Sequence, residues 1–181
     1  MVLDDKYPGA WYARTMALYL QGRFDAALEA NAQFLRLDRY RGAPLVQRAW
    51  MMLYTGRAEE ALDLANQAFA RGFINTFEES FALATRCAVQ LRRGRYDEAI
   101  ADCEKSLASQ DSLPGLPSLV AAYAQKGEAG KAAAAKARLL QLQPSYSIAV
   151  DKARQASDNA TYVEQSEAHL YAGLRKAGVP E

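Results

Sequence analysis

The chain has 181 residues, 50% of them apolar and 24% charged, which is enough for one domain with a sizeable core. Its 22 lysines and arginines nearly balance 21 aspartates and glutamates, so the net charge of +1 offers no global field to nucleic acid or an anionic membrane. Two cysteines and one histidine form neither a disulfide framework nor a conventional zinc site, and no stretch reads as a membrane span or a secretory leader. The expectation is a soluble, cytoplasmic chain with no metal and no cofactor.

In chain order, residues 1–7 are short and polar and read as a frayed, disordered start. Pro8 suits a first helical turn, and a helix follows to about Gln21. Gly22-Arg23-Phe24-Asp25-Ala26-Ala27-Leu28 then turns the chain into a second helix, roughly Phe24 to Asp38. That turn returns as Gly56-Arg57-Ala58-Glu59-Glu60-Ala61-Leu62, as Gly94-Arg95-Tyr96-Asp97-Glu98-Ala99-Ile100 and as Gly127-Glu128-Ala129-Gly130-Lys131-Ala132-Ala133. The glycines lie 34, 38 and 33 residues apart (56 − 22, 94 − 56, 127 − 94). Alignment on them stacks Trp11, Leu45, Leu83 and Leu116 in one column. Ala27, Ala61, Ala99 and Ala132 form a second, and Leu35, Phe69, Leu107 and Leu140 a third. A small residue in every hairpin lets two helices approach closely while large ones fill the flanks.

The third hairpin has extra residues before it. Asn75 with Glu78, or Thr76 with Glu79, makes a capping box that predicts a longer first helix, about Thr76 to Arg93, with an ordered loop over the groove as the alternative. The fourth hairpin starts in Asp111-Ser112-Leu113-Pro114-Gly115-Leu116-Pro117 and ends before Pro144. Beyond it, Ser147 to about Ala156 predicts a short helix. Ser157-Asp158-Asn159 reads as a break and cap, and a last helix over about Thr161 to Ala177 closes at Gly178.

This period and turn resemble the tetratricopeptide repeat. The resemblance implies an all-α, right-handed superhelical solenoid of four helix-turn-helix repeats (8–41, 42–75, 80–113 and 113–146), with 147–181 as a C-terminal capping segment. It also implies a concave groove lined by the first helices and used for binding proteins or peptides. The family's groove positions fall on Tyr12, Met16, Tyr19 and Leu20, then Val46, Trp50, Leu53 and Tyr54. They continue through Phe81, Ala84, Ala88, Leu91 and Arg92 to Pro117, Ala121, Ala124 and Gln125. From these, Tyr12, Met16, Tyr19, Trp50, Leu53, Tyr54, Phe81 and Arg92 form the candidate partner-binding groove. An uncovered aromatic and apolar patch of this kind binds a segment, an upstream helix or a second copy of the chain. The Lys and Asn clamp by which chaperone-tail binders of the family hold a terminal carboxylate is absent: Tyr12 and Met16, and Phe81 and Thr85, stand there instead. A chaperone C-terminal tail is therefore not expected as the ligand.

Arg14, Arg48 and Arg86 each lie eight residues before their glycine, and Leu119 breaks the series. They read as snorkelling arginines that pair with acids on the neighbouring helix, or alternatively as an anion ladder. Cys87 and Cys103 occupy positions of the repeat that face each other across its two helices. Two buried thiols are the first reading and a redox-sensitive pair the alternative. No nucleophile has a base beside it, and the acid pairs Glu59-Glu60 and Asp97-Glu98 are accounted for by helix N-termini, so no enzyme is expected.

Two further segments, Leu139-Leu140-Gln141-Leu142-Gln143-Pro144-Ser145-Tyr146-Ser147-Ile148 and Gly173-Leu174-Arg175-Lys176-Ala177-Gly178-Val179-Pro180-Glu181, are similar to the C-terminal end of bacterial multidomain proteins. In those, a tetratricopeptide region follows a class III nucleotidyl cyclase or a winged-helix domain. This resemblance implies a sensory or regulatory region without the catalytic or DNA-binding part. The reading from the sequence is thus a non-catalytic protein or peptide interaction module. Its alternatives are a regulatory region of a cyclase or transcriptional regulator, and a self-association module forming homodimers.

Overall fold

The computed structural model of the protein describes residues 6–109, 115–154 and 157–181, and every regular element among these is helical. Eight helices form four hairpins. They are α1 (Pro8–Leu20) with α2 (Phe24–Leu37), α3 (Ala43–Tyr54) with α4 (Ala58–Arg71), α5 (Thr76–Arg92) with α6 (Tyr96–Ser109), and α7 (Leu116–Lys126) with α8 (Ala129–Leu142). After them come α9 (Ile148–Arg154), α10 (Ala160–Gln165), a π-helical turn (Ser166–Tyr171) and α11 (Ala172–Lys176). Successive hairpins stack on one another as a right-handed solenoid. Part of the expected frayed start (1–5), the expected entry to the fourth repeat (Asp111 to Pro114) and the end of the expected short helix (Ala156) lie outside the described residues.

The recurring glycine has a local cause. Gly22, Gly56, Gly94 and Gly127 all adopt positive φ, between 70° and 80°, just past the end of the first helix. The next residue's N–H then reaches back to a carbonyl in the last helical turn. Arg23 donates to Leu18 at 3.0 Å, Arg57 to Met52 at 3.0 Å, Arg95 to Gln90 at 2.9 Å and Glu128 to Tyr123 at 2.9 Å. This is the Schellman arrangement, which satisfies carbonyls that the ended helix leaves open and needs a residue without Cβ at its left-handed position. The alanine column explains how closely the two helices of a hairpin pack: Ala27, Ala61 and Ala99 are fully buried and Ala132 is nearly so. In the leucine column, Leu45, Leu83 and Leu116 are buried, while Trp11 stays partly exposed at the open end of the array.

Pro8, Pro44 and Pro117 sit in first turns, where a missing N–H costs nothing. The long α5 starts as a capped helix. Asn75 Oδ1 accepts from the Glu78 N–H at 2.9 Å, and the Glu78 carboxylate accepts from the Ile74 N–H at 3.3 Å, one residue earlier than a strict capping box.

The register of α5 against α6 is set by three contacts. Ser80 and Ser106 exchange hydroxyl-to-carbonyl bonds of 2.8 Å in each direction. Arg86 grips Asp102 with two nitrogens, at 2.7 and 2.5 Å. Cys87 and Cys103 are joined by a disulfide, both fully buried. That last finding corrects the expectation of two separate buried thiols: antiparallel helices bring the two positions to a Cα separation of 5.4 Å, within bonding range.

The C-terminal segment closes the far end and also turns back. α11 and the π-helical turn pack on α7, and the π-helical turn reaches α5. The run from Asn159 to Lys176 thus lies along the faces of the first helices, with its start at repeat 2 and its end at repeat 4. Gly173 makes the closest approach, since a Cβ there would come within 2.7–2.8 Å of Ala121 backbone atoms. Ile148 donates its N–H to the Pro180 carbonyl at 2.8 Å, tying the start of α9 to the end of the chain.

Candidate partner-binding groove

The first helices set a row of aromatic side chains across repeats 1 to 3. The phenol of Tyr19 donates to that of Tyr54 at 3.1 Å. Tyr54 meets Trp50 edge-on at 5.4 Å between ring centroids, and Trp50 meets Phe81 at 5.8 Å. Two side chains that the groove positions did not include complete the row. Phe24, from the first turn of α2, stacks on Tyr54 at 5.5 Å, and Tyr162 of α10 also stacks on it, at 4.9 Å. Phe24 stands two residues after its turn glycine, and Tyr162 three residues after its cap Asn159. Neither position carries a groove signal in the repeat pattern.

The candidate residues therefore divide. Leu53, Tyr54 and Arg92 are buried to within 1–4% of full coverage, held beneath the chain's own C-terminal segment. Ser157 donates to the Tyr54 carbonyl at 2.5 Å, and Tyr162 belongs to the same apolar cluster as Leu53. Arg92 donates to Ser166 Oγ at 3.0 Å, to the Ala88 carbonyl at 3.2 Å and to the Tyr162 phenol at 3.4 Å, with its guanidinium over the Tyr162 ring. Met16, Tyr19, Trp50 and Phe81 are partly exposed, and Tyr12 is 45% exposed with its ring edge against Phe34. Tyr19, Trp50, Tyr54 and Phe81 form one contiguous row; Tyr12 turns toward α2.

Burial sets the electrostatics here. It pushes the Tyr54 phenol well above its ordinary range, helped by the neighbouring Tyr19 and Tyr162, so Tyr54 stays protonated. Burial raises Asp151 on α9, opposed by the Arg92 charge and by the phenols of Tyr146 and Tyr171; Tyr171 donates to Asp151 at 3.2 Å. Burial, with Arg92 second, lowers His169, which shares a 2.8 Å hydrogen bond with the Tyr96 phenol. Arg92 is thus the charge around which the tail is fastened.

Where the C-terminal segment stops short of repeat 1, an open cleft of about 540 Å³ remains. It is lined by Gly22 to Ala26, by Tyr54 and Thr55, and by Ser157 to Asn159. The arginine series lies elsewhere. Arg86 spends its donors on Asp102 and Asn66 and lies over Phe69. Arg48 donates to the Leu28 carbonyl at 3.2 Å, and exposed Arg14 lies over Trp11. Arg48 and Arg86 act as braces between helices.

No protein-family model matches the chain, and no curated protein matches its sequence at a significant level. Solved structures do match its shape. PilW, described as a widely conserved type IV pilus biogenesis factor, superposes with a TM-score of 0.69 at 19% identity, over 97% of this chain and 83% of that one. MamA from Desulfovibrio magneticus RS-1 gives 0.62 at 17% identity, over 96% and 98%. YrrB, a tetratricopeptide-repeat protein described as having an unusual peptide-binding site, gives 0.59 at 15% identity, over 96% and 86%. The fold is the tetratricopeptide solenoid. The aromatic row and the C-terminal run of this chain lie together on the side formed by the first helices.

Proposed function

We propose that this solenoid is a non-catalytic interaction module that holds a protein or peptide segment on the aromatic surface of repeats 1 and 2. The observation that carries the reading is the exposure gradient along one face. Leu53, Tyr54 and Arg92 are covered by the chain's own C-terminal run, whereas Tyr12, Met16, Tyr19, Trp50 and Phe81 remain at least partly accessible. Aromatic side chains in a desolvated concavity are the usual anchors of such contacts. The peptide site described for YrrB is the parallel among the similar folds.

The test uses the exposed anchors. A Tyr12→Ala/Trp50→Ala double variant is expected to keep its helical spectrum and to lose partner capture in a pull-down from the protein's own cells. Capture undiminished by the double substitution would sink the assignment of this face. Tyr54 is unsuited to the test because it carries the packing of the tail.

A further inference from the structure

We propose that Cys87 and Cys103 are a structural oxidation site and that the chain works in an oxidising compartment, not in the cytoplasm that its composition suggests. The placement of the cysteines is the first argument. The chain has two, and they occupy the two facing positions of one layer in one hairpin. The same layer is filled by Thr15 and Asn31 in the first hairpin and by Ala49 and Ala65 in the second, all fully buried. Small side chains without sulfur satisfy that layer, so packing alone does not call for a cysteine at either position. A bond between them does.

Enclosure is the second argument. Both sulfurs are fully buried. The start of α7 lies over them: the Gly115 carbonyl is 3.1 Å from Cys103 Sγ, and a Cβ at Gly115 would stand 3.5 Å from it. With repeat 4 docked, neither a reductant nor an oxidant reaches the pair. The bond therefore forms while repeat 3 is still open and is sealed when α7 packs, which makes it a permanent brace and not a switch. The step is ordinary thiol–disulfide exchange with a disulfide-bearing oxidant. One cysteine thiolate attacks the oxidant's disulfide, forming a mixed disulfide and releasing one oxidant sulfur. The other cysteine thiolate attacks the mixed disulfide at the first cysteine's sulfur and releases the second. The two protons lost by the cysteines end on the two oxidant sulfurs, which leave as thiols. Reduced thiol pools in the cytosol run this exchange in reverse on a newly made chain, whereas oxidising compartments drive it forward.

Protein quenched in acid from its own cells, unfolded, and alkylated with N-ethylmaleimide before any reduction is expected to carry no label by intact mass. Two labels on most of the population would overturn the proposal. A chain purified reduced and kept folded is expected to resist oxidised glutathione for hours and to close its disulfide promptly in mild urea. Equally fast closure in the fully folded state would overturn the sealing of the bond by repeat 4. The Cys87→Ala/Cys103→Ala variant reproduces the filling of the second hairpin and is expected to fold. Its unfolding midpoint should match that of the reduced wild type and fall below that of the oxidised one; a midpoint equal to the oxidised chain's would refute the bracing role.

Discussion

Trp50 and Tyr54 lie one helical turn apart on α3 and differ in what they hold. Trp50 leaves part of its side chain in solvent, while Tyr54 is only 3% exposed and stacks with both Phe24 and Tyr162. Tyr54→Ala is expected to cost about 3–5 kcal/mol, the range for removing a buried aromatic ring, and Trp50→Ala under about 2 kcal/mol. Urea unfolding of the two variants checks the contrast, and equal losses would contradict this division of the row. His169 gives a pH signature. Its imidazole is held below the ordinary value of 6.5, so the folded chain refuses a proton that the unfolded chain takes. The stability this contributes is present above the unfolded value of 6.5 and is lost as pH falls from there through the lower folded pKa. Asp151 works in the opposite sense: its folded carboxyl is raised above the ordinary 3.8, so its contribution is present at lower pH and lost as pH rises. His169→Gln is expected to remove the His169 part of this dependence, so that the variant loses less unfolding free energy than the wild type between pH 7 and 5. A slope unchanged by the substitution would remove His169 as its source.

Among the elements, the hairpins and the extent of the last helix are legible in the sequence, and the docking of the C-terminal run is not. The hairpin turn is decided within six residues: a glycine with positive φ and one backward hydrogen bond, repeated at a fixed interval. The alanine column is likewise periodic and local in cause. The chain beyond Pro144 has no period to read, and its partners are far away in sequence. Ser157 meets Tyr54 across 103 residues and Arg92 meets Tyr162 across 70. A cap is foreseeable from the open apolar end of the array; its return along the inner surface depends on Tyr162, Ser166 and Gly173 finding partners that no local pattern marks. The same reason splits the candidate groove, since positions taken from a repeat pattern cannot show which of them the C-terminal run covers. The segments containing Ile148 and Pro180 are joined by a backbone hydrogen bond. Gly173→Ala tests the docking of this element: its Cβ would meet the backbone of α7, and about 1–3 kcal/mol of overpacking cost is expected in urea unfolding, with retained helicity. No loss would mean that the run sits loosely on α7.

For the whole molecule, the α5–α6 disulfide and the returning helix fall on the same half. The bond closes a loop of sequence separation 16, for which the chain-entropy model gives a stabilisation of about 3 kcal/mol. Among the described residues repeat 1 has neither restraint: no helix covers its inner face, and Trp11 sits partly exposed where the other hairpins bury a leucine.

An open array unfolds roughly unit by unit, because each unit touches only its neighbours. The helix from Asn159 to Lys176 changes that arithmetic by giving units 2, 3 and 4 a common neighbour. Amide exchange should therefore divide the molecule into two populations. Protons of α1 and α2 would exchange through shallow local openings, and those of α3 through α8 would share one deeper opening with Leu170 and Leu174, whose side chains are at most 2% exposed. A partner that bound the exchanging end would then rigidify what the chain itself leaves loose, and the first sign of its binding would be slowed exchange in α1.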